Sequence, residues 1–248
     1  MFLPLKDMNP TVRRPIATYS LIVANVVIFI YELSLGPQVN AFIAAYGATP
    51  FEITRMTDLA GRLGVGAPIV HQPGPPHVWL TLLTSMFMHA GLWHLGGNML
   101  YLWIFGNNVE DILGPVKFYL FYLVCGLLAH ALHIASDPGS TIPTVGASGA
   151  VSGLLGAYLI AYPRARVLTL VFLGFFVRMA VVPAALIIVL WFVMQFIFGL
   201  ASLGGTAEGG VAWFAHIGGF LGGIALIYAM AGRTIWYLRH GGDRSENF

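Results

Sequence analysis

The chain has 248 residues, of which 58% are hydrophobic and 9% are charged. Soluble domains carry about 25% charged residues, so this composition excludes an ordinary soluble fold and indicates a protein surrounded by lipid. The formal net charge of +2 and the absence of a long basic run argue against a nucleic-acid partner. The single cysteine, Cys125, excludes a disulfide within the chain.

Six apolar segments follow one another along the chain. A bilayer core of about 30 Å needs about 20 residues of helix, and the fourth segment is shorter than that. The predicted spans are Ile16–Leu35, Leu80–Phe105, Val116–Ser136, Gly146–Tyr162, Met179–Leu200 and Val211–Ala231. The first is long enough to span, so a cleaved signal peptide is not expected. We interpret the arginine-flanked run Val167–Val177 as a loop or an interfacial segment. The predicted fold class is therefore an all-α membrane protein with six transmembrane helices.

The positions of lysine and arginine predict the orientation, because cytoplasmic segments of membrane proteins are enriched in both. With a cytoplasmic N-terminus, ten of the twelve basic residues lie inside and only Arg55 and Arg62 lie outside. Six spans then place both termini in the cytoplasm. The expected organisation is a cytoplasmic segment 1–15, a six-helix domain 16–232 with a long outer loop at about 40–76, and a cytoplasmic tail 233–248.

The second predicted helix carries three polar residues at a depth where such residues are costly and often functional. These are His89, His94 and Asn98. His94 and Asn98 are four residues apart and share one helix face, so both can donate hydrogen bonds to a single oxyanion. Hydrogen bonding between helices explains the same pattern, and a zinc site is a weaker reading without a convincing third ligand.

A glycine-flanked serine precedes the fourth predicted helix in the motif Gly146-Ala-Ser148-Gly149. The N-terminus of a helix offers free N–H groups and a positive potential, which favour a developing negative charge. Gly146 and Gly149 allow the backbone to approach a substrate closely. Two structural readings compete: serine is a common N-cap, and glycines spaced four apart form a packing face.

The sixth predicted helix contains a histidine next to a pair of glycines, in the motif Ala215-His216-Ile-Gly218-Gly219. Alone, it is best explained as a packing histidine. The orientation, however, places all three clusters in the outer half of the membrane, where small residues allow Ser148 to approach His216. A nucleophile, a base and oxyanion donors are the groups that acyl transfer requires.

No carboxylate is predicted within the membrane to orient His216, so a dyad is expected rather than a triad. The acidic residues considered are all predicted to lie in loops: Glu110, Asp111, Asp137 and Glu208. Glu110 is expected to stabilise the turn between the second and third helices.

These motifs, in this order and spacing, resemble the rhomboid family of intramembrane serine proteases from about Trp79 to Gly223. The segment Asn107–Gly114 also resembles the family's turn between the second and third helices. The resemblance implies a six-helix rhomboid fold, hydrolysis of peptide bonds without metal or cofactor, and transmembrane proteins in the lipid bilayer as substrates. It also implies a bacterial inner membrane as the location.

The resemblance implies site residues as well: a catalytic dyad of Ser148 and His216, and an oxyanion hole formed by the Ser148 N–H, His94 and Asn98. His89, Gly146 and Gly149 are expected to support them. The sequence departs from the pattern at Ser152, where some family members carry an aromatic residue stacked on the catalytic histidine. The family's Trp-Arg pair in the first outer loop also has no counterpart here.

His130 and His133 lie three residues apart in the third predicted helix, and packing or interhelical bonding is preferred to a metal site there. Three functions remain to be compared. The first is the serine protease, and the second is an inactive rhomboid-like factor that binds membrane proteins or serves their quality control. The third, a small transporter, ranks last because the chain lacks repeated halves. Inactive relatives are expected to lose the serine or the histidine, and this sequence retains both.

Overall fold

The computed structural model describes residues 2–64, 70–173, 176–203 and 211–240. Within these ranges most residues are helical. The α-helices are α1 (Ile16–Ser34), α2 (Val39–Tyr46), α3 (Pro50–Arg55), α4 (Thr81–Thr84), α5 (Leu92–Leu113), α6 (Pro115–Ser136), α7 (Ser148–Ala161), α8 (Ala184–Leu203) and α9 (Trp213–His240). Short 3₁₀ turns occupy Gly36–Gln38, Val78–Leu80 and Ser85–Phe87.

A small antiparallel sheet accompanies the helices. Its strands are β1 (Phe2–Asp7), β2 (Arg166–Leu173) and β3 (Phe176–Pro183), in the spatial order β1-β2-β3. Phe2 pairs with Val171, and Arg166 pairs with Pro183. The expectation of an all-α protein is therefore wrong for these segments, and the run read as a loop forms much of a hairpin. Alternate residues of β2 are buried, as the two-residue period of a strand requires.

Four helices among the described residues are long and apolar enough to cross a bilayer. They are α1, α6, α8 and the part of α9 from Trp213 to Leu238. Helix α7 has 14 residues, about 21 Å at 1.5 Å per residue, which is shorter than the hydrocarbon core. Eleven of those residues are buried, so α7 is a central helix covered by its neighbours rather than by lipid.

The second predicted span has the wrong limits. The chain from Leu80 forms a short helix and a 3₁₀ turn and then becomes extended at Met88. The backbone N–H of His89 donates to the Glu32 carboxylate at 3.2 and 3.3 Å, not to a helical carbonyl. Helix α5 therefore begins at Leu92, and it ends where Gly114 adopts a φ of 72°. His94 and Asn98 consequently lie in the first two turns of α5, whereas His89 precedes the helix.

Glu110 and Asp111 lie in the last turn of α5, so their predicted loop position is also wrong. The Glu110 carboxylate accepts hydrogen bonds of 2.8 Å from the backbone N–H groups of Ala17 and Thr18 and from the Thr18 hydroxyl. Asp111 accepts two further backbone N–H groups just before α1 begins. These carboxylates satisfy free donors at the start of α1 and fix that helix against α5. Asp137 follows the end of α6, as predicted, and Glu208 lies outside the described residues.

Helices α7 and α9 pack backbone against backbone through their glycines. A Cβ atom at Gly219 would overlap the carbonyl oxygen of Gly149, and one at Gly223 would overlap that of Gly153. The predicted close approach of these two helices is confirmed. Because Ser148 and His216 both lie near the start of their helices, this packing brings them side by side.

Candidate active site

Ser148 is the first residue of α7, but its side chain does not cap the helix. The N-cap residue is Ala147, and the helix start has no side-chain capping bond. The Ser148 hydroxyl instead lies 2.8 Å from Nε2 of His216. The capping explanation of this serine therefore fails, and its hydroxyl is paired with a possible general base.

The two glycines beside Ser148 make room for protein groups. Gly146 has a φ of 131°, which favours glycine, and a Cβ atom there would lie 2.7 Å from the His94 ring. At Gly149 the same space is occupied by the side chain of Ala129. Gly146 thus allows the loop before α7 to pass against His94, while Gly149 serves helix packing.

His94 and Asn98 line the same cavity as Ser148 and His216. The cavity has a volume of about 530 Å³ and is mainly apolar. Asn98 is 7% exposed, and its Nδ2 amide has no hydrogen-bond acceptor among the described residues. The structure therefore brings two helix-borne polar groups from α5 to the cavity that contains the serine–histidine pair.

His89 takes a different position from the other predicted site residues. It is 1% exposed, and its ring lies 5.1 Å from the His94 ring, in an edge-to-face arrangement. Among the described residues, His89 contacts His94 and is fixed through its backbone to Glu32. His89 therefore contacts His94 but is not among the residues that line the cavity.

Ser152, the departure from the family pattern, is one turn along α7 and also lines the cavity. Its hydroxyl donates to the carbonyl of Ser148 at 2.6 Å. The aromatic neighbours of the His216 ring come instead from α8 and from α9 itself. Trp191 of α8 lies 5.7 Å from it, centroid to centroid, and Trp213 of α9 lies at 6.4 Å.

One polar neighbour of His216 is not among the predicted site residues. Oε1 of Gln195, on α8, lies 2.7 Å from Nδ1 of His216. A glutamine in the most apolar of the long helices is the signal that was available, since a buried amide in such a helix needs a partner. Glu32 was not predicted either, although the same signal was available: it is a carboxylate near the end of a spanning helix, and it is 1% exposed.

The histidines of α6 act as links between elements. Nε2 of His130 lies 3.1 Å from the Ser85 hydroxyl, and Nε2 of His133 lies 3.0 Å from the Thr144 hydroxyl. Packing or bonding between helices was preferred for these residues, and their partners lie instead in a 3₁₀ turn and a loop. These bonds hold the 3₁₀ turn before α5 and the loop before Ser148 against α6.

The described part of this chain is a mainly helical protein with four candidate membrane spans and a hydrogen-bonded serine and histidine at a cavity. Comparison with known families identifies the family directly. The Rhomboid domain model matches residues 76–233, which is more than half of the chain. The chain belongs to the rhomboid family.

Several rhomboid relatives are similar to this chain. The rhomboid protease GluP of Bacillus subtilis is 33% identical over 145 residues, covering 58% of this chain and 25% of that protein. Rhomboid-like protein 11, chloroplastic, of Arabidopsis thaliana is 32% identical over 161 residues, covering 62% and 53%. Rhomboid protein 1, mitochondrial, of Saccharomyces cerevisiae is 33% identical over 97 residues, covering 38% and 28%. The chain thus spans between a quarter and about half of the length of these relatives.

Proposed function

We propose that this protein is an intramembrane serine protease that hydrolyses peptide bonds in or near transmembrane segments of membrane proteins. The observation that carries the proposal is the 2.8 Å contact between the Ser148 hydroxyl and Nε2 of His216 at the cavity. Membership of a family that includes named proteases supports it. The alternative, an inactive rhomboid-like factor, has no need of this pair.

In the proposed reaction the Ser148 hydroxyl attacks the carbonyl carbon of the scissile bond while Nε2 of His216 takes its proton. The oxyanion is stabilised by the Ser148 N–H, the His94 ring and the Asn98 amide. When the C–N bond breaks, His216 returns the proton to the leaving amine, and the acyl group remains as an ester of Ser148. Water, activated by His216, then hydrolyses that ester.

The proposed architecture is a six-helix bundle formed by α1, α5, α6, α7, α8 and α9, with both termini in the cytoplasm. The distribution of lysine and arginine supports this orientation, ten inside against two outside. The protease unit is proposed to be residues 16–232, with an outer loop at about 40–76 and cytoplasmic segments 1–15 and 233–248. The proposed location is a bacterial inner membrane, although relatives also carry mitochondrial and chloroplastic names.

A fluorophosphonate probe tests the proposed nucleophile directly, because it reacts with serines that a neighbouring base activates. We expect the purified protein to be labelled once, with the modified residue mapping to Ser148. The Ser148→Ala variant should stay unlabelled under the same conditions. Labelling at another residue, or none in a folded sample, would argue for the inactive alternative.

Cysteine accessibility tests the proposed orientation. In a Cys125→Ala background we expect Asp137→Cys, exposed after α6, to react with an impermeant thiol reagent added outside intact cells. Arg164→Cys, exposed after α7, should react only after the membrane is permeabilised. The reverse pattern would invert the bundle and place the cavity on the cytoplasmic side.

A further inference from the structure

Helix α8 carries a single amide side chain, Gln195, in a largely apolar sequence. Of the four long helices, α8 is the most apolar. Gln195 is nevertheless only 5% exposed. Because an amide in an apolar environment is costly unless it is hydrogen-bonded, its partner indicates why it is there.

The partner of Gln195 is the candidate base. Oε1 of Gln195 lies 2.7 Å from Nδ1 of His216, and Nε2 of the same ring lies 2.8 Å from the Ser148 hydroxyl. With Oε1 of Gln195 facing the ring, the carbonyl oxygen accepts and Nδ1 carries the ring proton of neutral His216. Nε2 then has its lone pair directed at the Ser148 O–H. This tautomer is the one in which His216 can remove the serine proton.

We propose that Gln195 is the positioning residue of His216, fixing its tautomer and ring orientation from the neighbouring helix. The inference rests on the proposed function, and it extends the expected dyad to a chain Gln195–His216–Ser148. Among the described residues, Gln195 and Ser148 supply the side-chain hydrogen bonds of the His216 ring. Trp191, one turn before Gln195 on α8, adds an aromatic contact to the same ring.

The hydrogen bonds from Gln195 to His216 and from His216 to Ser148 make the proposed chemistry depend on the position of α8. The nucleophile is on α7 and the base is on α9, which pack backbone against backbone, whereas the positioning amide is on α8. Helix α8 is also the least buried of the four long helices. A displacement of α8 away from α9 therefore separates Gln195 from His216 while leaving Ser148 and His216 in contact.

The test compares two substitutions at one position, with kcat and KM measured for a transmembrane substrate in proteoliposomes. Gln195→Met keeps the length of the side chain and removes the acceptor, and we expect kcat to fall about 10- to 100-fold with KM within about twofold. Gln195→Glu keeps an oxygen acceptor whether or not it is protonated, and it should retain kcat within about fivefold. Asn25→Leu, which removes a buried amide from α1, is the control and should leave kcat unchanged.

Wild-type kcat in Gln195→Met would overturn the proposal, as would a loss confined to KM. A Gln195→Glu variant that melts like the wild type but is as slow as Gln195→Met would also overturn it, because an acceptor would then not be what matters. Ser148→Ala in the same assay separates the two proposals. If Ser148→Ala cleaves at the wild-type rate, the proposal that the protein is a serine protease is rejected. If Ser148→Ala is inactive and Gln195→Met is fully active, only the proposed role of Gln195 is rejected.

Discussion

Replacing Ser148 with alanine should reduce cleavage of a transmembrane substrate to background, while the protein still folds. Loss of the nucleophile in a soluble serine protease costs about 10⁶-fold in kcat, because no other group can form the acyl intermediate. The substitution removes one hydroxyl whose side-chain partner is His216. The helix start does not depend on this hydroxyl for capping, so the melting temperature should change by only a few degrees.

A matched control is available in the same bundle. Ser202→Ala removes a hydroxyl that donates to the carbonyl of Gly199 near the end of α8. This variant should cleave at the wild-type rate. If Ser148→Ala kept a rate close to the wild type, the proposed mechanism would be excluded, whatever the family of the chain.

The glycine pattern explains why the relation between Ser148 and His216 was predictable from the sequence. Two helices can approach backbone to backbone only where Cβ atoms are missing. Glycines spaced four residues apart therefore indicate such a contact from the sequence alone. Gly149 and Gly153 on one helix and Gly219 and Gly223 on the other do so here. Ser148, next to Gly149, and His216, about one turn before Gly219, are therefore brought together.

The limits of the second predicted span, which contains α5, were not predictable in the same way. A hydropathy window records that the residues from Leu80 are apolar, but it does not record where their backbone N–H groups find acceptors. At His89 that acceptor is the carboxylate of Glu32, more than fifty residues away in the sequence. Glu110, similarly, looks like a loop residue until its partners at the start of α1 are known.

Long-range pairing also explains the missed sheet and the missed glutamine. Strand β1 pairs with β2, about 160 residues further along the chain, so β1 has no local partner that would reveal it. Gln195 belongs to α8 by its position and to the site by a single hydrogen bond to α9. Periodicity assigns a residue to an element, but it does not show which side chains meet across elements.

Removing the base should be nearly as damaging as removing the nucleophile, and it provides a test of whether the site acts as one unit. We expect His216→Ala to abolish detectable cleavage and to slow fluorophosphonate labelling of Ser148 by about 10²- to 10⁴-fold, the usual contribution of a general base. Labelling is the useful measurement here, since Ser148 is still present and a residual rate can be followed over hours.

The same labelling rate can show whether Gln195 acts through His216. In the wild-type background Gln195→Met should slow labelling about 10- to 100-fold, as for cleavage. In the His216→Ala background it should slow labelling no further, because the amide has lost the ring that it positions; residues that act as a unit are non-additive in this way. Thermal melting of all four proteins serves as the folding control. Two losses that multiply in the double variant would mean that Gln195 and His216 affect Ser148 independently, and the chain of hydrogen bonds from α8 to α7 would then not describe how the site works.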